Sequence, residues 1–171
     1  QKDFSVDEVM ADRLISWPLT RSMCAPLSDG AGALVLCTGD TLDRFDKSRA
    51  VKVLGTSVVS GSDRDPDDFE HHIGRMAATR AYEQAGVGPD DVDVAEVHDA
   101  SAYAEIVQVE NMGFCARGEG GSLAERGETK LGGKIPVNTS GGLLSKGHPI
   151  GATGAIQIHE LVTQLRGEAG K

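Results

Sequence analysis

Glycine is unevenly distributed along this chain, and the distribution limits the folds it can adopt. The 171 residues include 22 glycines, and fourteen of these lie between Gly113 and Gly170. Average glycine usage, about 7%, would give about 12 in the whole chain. The glycines follow no collagen-like repeat, so they indicate turns with positive φ or places where backbone comes close to a ligand. We therefore expect loops of that kind in the second half of the chain.

Composition and charge exclude several classes of protein. The net charge is −9, and lysine and arginine are dispersed, so a nucleic-acid-binding role is not expected. No apolar run approaches the roughly 18 residues of a membrane span, and residues 1–20 lack the charged and then apolar pattern of a signal peptide. The three cysteines, Cys24, Cys37 and Cys115, form no C-x-x-C pair, which favours a reducing compartment. The expected location is cytoplasmic.

Strand-like and helix-like segments alternate along the chain. This order predicts an α/β layered fold with a central sheet that is parallel in part and helices on its faces. A glycine-rich, charged loop is expected at 115–134. The predicted strands are Ala31–Cys37, Val51–Val59, Val92–Val97 and Ile135–Asn138, and the predicted helices are Gly74–Ala85, Ala100–Met112 and Gly151–Arg166.

Common phosphate and metal motifs are missing from the sequence. Neither G-x-x-x-x-G-K-[ST] nor G-x-G-x-x-G occurs, so the glycine excess is not a nucleotide-phosphate loop. G-x-S-x-G and H-E-x-x-H are also missing. His71 and His72 are adjacent, and neighbouring side chains rarely point to one ion, so no metal site is predicted.

A glycine-rich stretch around His148 is the first candidate site. Five glycines flank this histidine between Asn138 and Gly154, and a predicted helix starts directly afterwards. Glycine lets backbone crowd a substrate, Pro149 stiffens the turn, and a histidine held there can act as a general base or an oxyanion donor. A structural turn with His148 at the surface explains the same residues equally well.

A second candidate lies where a short predicted strand meets a helix. His98 and Asp99 follow that strand, and the carboxyl ends of strands are where ligand sites form in α/β sheets. Asp99 or Ser101 could equally be the N-cap of the helix, with His98 at the edge of the core.

Together these two stretches resemble the thiolase family. Asn138–Gly154 is similar to the signature N-x-x-G-G-x-x-x-x-G-H-P-x-G-A-x-G. Val97–Ala100 resembles the segment in which sterol-carrier-type thiolases carry His-Asp in place of Asn-Glu, and Ser28–Ala33 resembles the family's Asp-Gly-Ala segment. Met112–Gly121 is similar to the lipid-transfer-protein branch. The match covers the later part of a thiolase.

The resemblance implies a fold and a division of the chain. Thiolases have two similar α/β halves, each with a mixed central sheet, and assemble as dimers or tetramers. Residues 1–46 would then close the first half, and 47–171 would form the second half without its last segment. The family's nucleophilic cysteine and second catalytic cysteine would both lie outside this chain, so the fragment alone is expected to be inactive.

The resemblance also implies residue roles. His148 matches the histidine that activates the nucleophile, and His98 matches the position that helps to form the oxyanion site. Gly142, Gly147 and Gly151 would let backbone approach the substrate thioester. The substrate would be a 3-ketoacyl-CoA, with coenzyme A as co-substrate and no separate cofactor.

Two alternatives stay open beside an acyltransferase. One is a thiolase-fold aldolase that acts on a CoA-linked steroid or acid side chain with a small acyl-CoA-binding partner protein. The other is a non-catalytic acyl-CoA or lipid-binding protein. The family pattern is also broken at Cys24–Pro26, where many thiolases have Ala-Ser-Gly, and at Ser101, where phenylalanine is frequent.

Overall fold

A computed structural model describes residues 3–170 of the chain. Its α-helices and strands are short and are joined by long irregular segments. Four 3₁₀ turns, at Arg21–Met23, Gly39–Arg44, Lys47–Arg49 and Pro89–Asp91, lie in those connections. The regular elements are α1 (Val6–Ala11), β1 (Leu14–Ser16), β2 (Leu19–Thr20), α2 (Ile73–Ala85), α3 (Ala102–Asn111), α4 (Gly120–Glu125), α5 (Gly142–Lys146) and α6 (Thr153–Leu165).

The three predicted helices are confirmed as α2, α3 and α6. Gly86 ends α2 with a φ of 71°, a left-handed cap that glycine adopts without strain. Ser101 is the N-cap of α3, because its side chain accepts the backbone N–H of Ala104 at 3.1 Å. Local signals of this kind are sufficient to place helix ends in the sequence.

The predicted mixed central sheet is not formed within residues 3–170. The sheet there is the antiparallel pair β1–β2, and the predicted strands 31–37 and 51–59 have no strand assignment. Both segments are apolar, but a strand also needs a neighbour for its N–H and C=O groups, and no described segment pairs with them. Val35 is 83% exposed and Val58 is 91% exposed, so these segments do not form a buried sheet in the described chain.

The other two predicted strands meet at one parallel bridge. Ala95 pairs with Val137, and the amide N–H of Ala95 donates to the carbonyl of Pro136 at 3.0 Å. The amide N–H of Asn138 returns a bond to the carbonyl of Ala95 at 2.8 Å. This contact lies inside the buried apolar cluster of Ala95, Val97, Val109, Leu123, Ile135 and Val137.

The predicted loop at 115–134 contains the helix α4, which was not expected. Gly120 begins this helix, and its N–H donates to the carboxylate of Glu110 on α3 at 3.0 Å. A Cβ at Gly120 would lie 2.9 Å from the side chain and carbonyl of Ile106, so the glycine lets α4 pack closely on α3. The division into 1–46 and 47–171 stays a prediction, and residues 1, 2 and 171 lie outside the described part.

Candidate functional site

The structure brings the two predicted histidines together. The imidazole rings of His98 and His148 have centroids 4.8 Å apart and an interplanar angle of 80°, an edge-to-face arrangement. The two residues come from different loops and are 50 positions apart in sequence. Their meeting was implied by the resemblance but not by the local pattern around either residue.

His98 follows Val97, whose backbone N–H and C=O groups are both bound by side chains from later in the chain. The side-chain carbonyl of Asn138 accepts the N–H of Val97 at 2.9 Å, and the side-chain amide of Gln157 donates to the carbonyl of Val97 at 2.7 Å. Asn138 has a positive φ of 54°, which asparagine tolerates better than most residues. The backbone immediately before His98 is therefore fixed in place.

Asp99 is not the cap of α3 and acts across the site instead. Its side chain is buried, with 1% of the residue exposed, and its carboxylate accepts the backbone N–H groups of Leu143 at 2.8 Å and Leu144 at 3.4 Å. These are N–H groups of the first turn of α5, which have no partner inside the helix. Asp99 thus ties the loop of His98 to the turn that precedes His148.

The three glycines predicted at the site differ in how much space a Cβ would have. Gly142 has a φ of 61°, and a Cβ there would lie 2.1 Å from Oδ2 of Asp99. Gly147 has a φ of 95°, and a Cβ there would lie 2.6 Å from Oγ of Ser28. A Cβ at Gly151 would meet nothing within 4 Å. Protein packing therefore requires glycine at the first two positions, and the predicted substrate contact of all three stays a prediction.

A buried polar cluster beside the turn was missed in the sequence. The carboxylate of Glu96 is fully buried and accepts the N–H of Ser140 at 2.9 Å and its hydroxyl at 2.7 Å. The ammonium group of Lys146 lies 3.7 Å from the same carboxylate and donates to the hydroxyl of Ser140. The charge of Lys146 is therefore directed at Glu96.

The segment Cys24–Ser28 lies between the two histidine loops. The N–H of Ala25 donates to the carbonyl of Ala100 at 3.0 Å, and the carbonyl of Pro26 accepts the N–H of His148 at 2.8 Å. The N–H of Ser28 donates to the carbonyl of His148 at 3.4 Å. Backbone groups alone make these bonds, so they connect the two loops whatever side chains the segment carries.

The ring of His148 is anchored at one nitrogen. Its Nδ1 lies 2.8 Å from the hydroxyl of Thr153, the first residue of α6, which is 3% exposed. The same hydroxyl donates to the carbonyl of Pro149 at 3.1 Å. Within residues 3–170 this is the side-chain hydrogen bond that orients the imidazole.

The pKa of His98 is lowered below the ordinary value for histidine. Partial removal from water is the largest cause, and the neighbouring His148 adds to it, while the Asp99 carboxylate acts in the opposite direction. His98 is therefore neutral at pH 7. A neutral imidazole has one N–H donor and one acceptor, so it can donate to an oxyanion.

Similarity to known proteins shows the family of this chain. The family model for Thiolase C-terminal domain-like proteins matches residues 55–171. The chain belongs to the thiolase family. Sterol carrier protein 2 from Oryctolagus cuniculus is 43% identical over 181 residues, which cover 100% of this chain and 32% of that protein. An acetyl-CoA acetyltransferase from Methanothermobacter thermautotrophicus is 41% identical over 172 residues, which cover 98% of this chain and 44% of that protein.

A solved structure supports the thiolase fold. A chain of the Ltp2-ChsH2(DUF35) aldolase superposes with a TM-score of 0.74 at 23% identity, covering 97% of this chain and 44% of that chain. At this identity the match shows the fold alone. The thiolase-family chain spans less than half the length of each of these three proteins.

Cys115 of this thiolase-family chain differs from an activated nucleophile. Burial raises the pKa of the Cys115 thiol, and the carboxylates of Glu110 and Glu119 raise it further. Cys115 packs against the apolar core, and Cys37 lies in the exposed segment 31–37. A nucleophilic cysteine needs the opposite environment, one that stabilises the thiolate.

The thiolase-family chain also has a surface cavity of about 940 Å³ away from the two histidines. Phe69 and Tyr82 on its wall are accompanied by Arg75 and Arg117, and neither His98 nor His148 lines it. The guanidinium groups of both arginines lie over the ring of Phe69, at 5.0 Å and 5.4 Å from its centroid. Glu70 contacts Arg75 at 2.8 Å, so part of this positive charge is already neutralised.

The adjacent His71 and His72 have separate protein partners. His71 contacts the carboxylate of Asp68 at 2.7 Å, and Nδ1 of His72 accepts the N–H of Gly74 at 3.1 Å. Across residues 3–170 no cluster of three or more histidine, cysteine, aspartate or glutamate side chains could hold a metal ion. No helix in that same range has the length and apolar character needed to cross a bilayer.

Proposed function

We propose that this chain is the C-terminal part of a thiolase-type acyltransferase that acts on 3-ketoacyl-CoA. The 4.8 Å contact between His98 and His148 supports the proposal, because one imidazole could act as a base while the ring beside it donates to an oxyanion. The identity of about 40% to an acetyl-CoA acetyltransferase supports the reaction class. Acyl-CoA would be the substrate, and coenzyme A the second substrate in thiolysis.

His148 would act as the general base. A cysteine thiol has an ordinary pKa of about 8.5, so at neutral pH it needs a neighbouring base to become a thiolate. The base would take the thiol proton, and the thiolate would attack the 3-keto carbon of the substrate. Cleavage of the C2–C3 bond would leave the acyl group on sulfur, and the CoA-bound two-carbon fragment would take up the proton held by His148 and leave as acetyl-CoA. Free coenzyme A would then take the acyl group from sulfur as the shortened acyl-CoA.

His98 would donate a hydrogen bond to the negative oxygen that forms during this reaction. Its lowered pKa keeps it neutral, and a neutral ring avoids placing a second positive charge beside His148 once that residue is protonated. The carboxylate of the neighbouring Asp99 already accepts the N–H of Leu143 in α5, so it is not assigned this role. Gly142, Gly147 and Gly151 would border the thioester.

The nucleophile would come from a part of the polypeptide outside these 171 residues. The raised pKa of Cys115 and its packing on the core argue against this cysteine. The exposed apolar segments 31–37 and 51–59 would pair with strands of the same missing part. The 171-residue chain alone would then bind acyl-CoA weakly or not at all and would be inactive.

The test is thiolysis of acetoacetyl-CoA by the full-length protein. His148→Ala should lower kcat by about 10²-fold or more, the usual size of an acid–base contribution. His159→Ala is the matched control, because His159 is an exposed histidine on α6 outside the site, and it should leave kcat unchanged. An unchanged rate in His148→Ala would refute the assignment.

Two further measurements separate the alternatives. Thiolysis consumes free coenzyme A, so the reaction should stop when coenzyme A is omitted, whereas cleavage without it would indicate an aldolase. The isolated 171-residue chain should show no turnover. Turnover by that chain would place the nucleophile among Cys24, Cys37 and Cys115 and would contradict the proposal.

A further inference from the structure

Thr153 is a buried polar residue that contacts the imidazole of His148. Only 3% of it is exposed, and its hydroxyl oxygen lies 2.8 Å from Nδ1. No motif in the sequence marks it, because a threonine at the start of a helix is unremarkable. The contact matters because a histidine can act as a base at one nitrogen only if the other nitrogen holds the proton.

The hydroxyl proton of Thr153 already has an acceptor. The Oγ1–H group donates to the carbonyl of Pro149 at 3.1 Å, four residues earlier, in the back-bond that threonine often makes in a helix. A hydroxyl has one proton, so the oxygen faces Nδ1 as an acceptor. With the hydroxyl proton on the Pro149 carbonyl, Nδ1 would carry the ring proton and Nε2 would have the lone pair.

Backbone hydrogen bonds hold both the Pro149 carbonyl and the backbone of His148 in place. The N–H groups of Ala152 and Thr153 donate to the same Pro149 carbonyl at 2.8 Å and 2.9 Å, so that carbonyl cannot turn away. The N–H of His148 is bound to the carbonyl of Pro26 at 2.8 Å. The branched side chain of threonine has restricted χ1 rotation, which keeps its hydroxyl in place.

We propose that Thr153 is a positioning residue that holds His148 in the Nδ1–H tautomer, so that Nε2 is the nitrogen available as a base. The inference rests on the proposed function, in which His148 takes a proton from a thiol. Thr153 is 3% exposed and would contact neither substrate nor nucleophile. It acts only through the ring that it orients.

The tautomer can be measured without any activity. In the full-length protein labelled with ¹⁵N-histidine, the neutral ring of His148 should show a protonated Nδ1 and an unprotonated Nε2. Thr153→Val keeps the shape of the side chain and removes the acceptor, so the population of the Nδ1–H tautomer should fall. Thr153→Ser keeps a hydroxyl, so the population of the Nδ1–H tautomer should stay close to that of the unmodified protein.

The rate of thiolysis is the second readout. Thr153→Val should lower kcat by about 10-fold or more with little change in KM, since the wrong tautomer cannot accept the proton. Thr153→Ser should stay close to the unmodified protein. Thr20→Val is the matched control, because Thr20 is also 3% exposed and its hydroxyl donates to the carbonyl of Val9 at 2.7 Å.

The outcomes separate the inference from the function that it refines. An Nε2–H tautomer in the unmodified protein would overturn the inference, and so would a Thr153→Val variant whose tautomer does not change. If Thr153→Val and Thr20→Val lower kcat equally, the effect is one of packing and the inference fails. If the protein has no thiolase activity but the tautomer changes as expected, the positioning role stands and the proposed function fails.

Discussion

Replacing Gly142 by alanine should destabilise the protein through two separate effects. Gly142 has a φ of 61°, and a left-handed conformation costs an alanine about 1–2 kcal/mol. The added Cβ would lie 2.1 Å from Oδ2 and 2.8 Å from Cγ of Asp99. Both distances are shorter than those between a Cβ and a non-bonded atom in folded proteins. Asp99 is buried, so its carboxylate must move as a whole and lose the N–H of Leu143.

The size of the effect follows from adding these two contributions. A hydrogen bond to a charged group is worth about 1.5–3 kcal/mol, so Gly142→Ala should lower the free energy of unfolding by about 2.5–5 kcal/mol. Gly118→Ala is the matched control, because Gly118 has a φ of 84° but a Cβ there would meet nothing within 4 Å. This control should show the conformational cost alone, about 1–2 kcal/mol.

Equilibrium unfolding in urea measures both variants, and the exchange of the Leu143 amide proton reports the bond to Asp99. Gly142→Ala should accelerate that exchange, and Gly118→Ala should not. Equal losses of stability in the two variants would refute the reasoning, since the clash with Asp99 would then contribute nothing. A slow amide exchange at Leu143 in Gly142→Ala would do the same.

Three further predictions each concern one side chain. His148→Ala should raise the pKa of His98, because one cause that lowers it is removed, and proton NMR titration of the His98 ring would measure this. The pKa of His98 is lower in the folded than in the unfolded chain, so its protonation as the pH falls below about 6.5 weakens folding, and His148→Ala should reduce that acid sensitivity. Lys146→Met should lower the free energy of unfolding in urea by about 3 kcal/mol, because it leaves the fully buried carboxylate of Glu96 without its cation. Cys115→Ala should leave kcat of thiolysis in the full-length protein unchanged, and a large loss would contradict the exclusion of this cysteine as nucleophile.

Helices and histidines could be predicted from the sequence because their signals are local. The cap of α2 at Gly86 and the cap of α3 at Ser101 are each decided by residues within one turn. His148 lies in a run of glycines that is conspicuous in itself, and His98 follows a short apolar strand. The resemblance to thiolases then implied that the two loops meet.

The sheet and the hydrogen bonds that hold the site together depend on contacts between residues far apart in sequence. The local sequence pattern could not reveal them. An apolar run such as 31–37 shows that a segment is suited to a strand. The run does not show which other strand would complete its hydrogen bonds. Asp99 and Glu96 lie just before a helix, where acidic residues are common. Their carboxylates nevertheless accept the backbone N–H groups of Leu143 and Ser140, more than 40 residues later. Thr153 was missed for the same reason, since its role depends on where Nδ1 of His148 lies.

The departure from the thiolase pattern at Cys24–Pro26 is tolerated because of the kind of contact that this segment makes. Ala25 donates its N–H to Ala100, and Pro26 accepts the N–H of His148 through its carbonyl. Proline lacks a backbone N–H but keeps its carbonyl, so it can replace glycine where the backbone only accepts. The connection between the two histidine loops is therefore independent of the side chains in this segment. Under the proposed acyltransferase function, this segment would lack the serine hydroxyl of the thiolase pattern, so the change should raise the KM for coenzyme A before it lowers kcat.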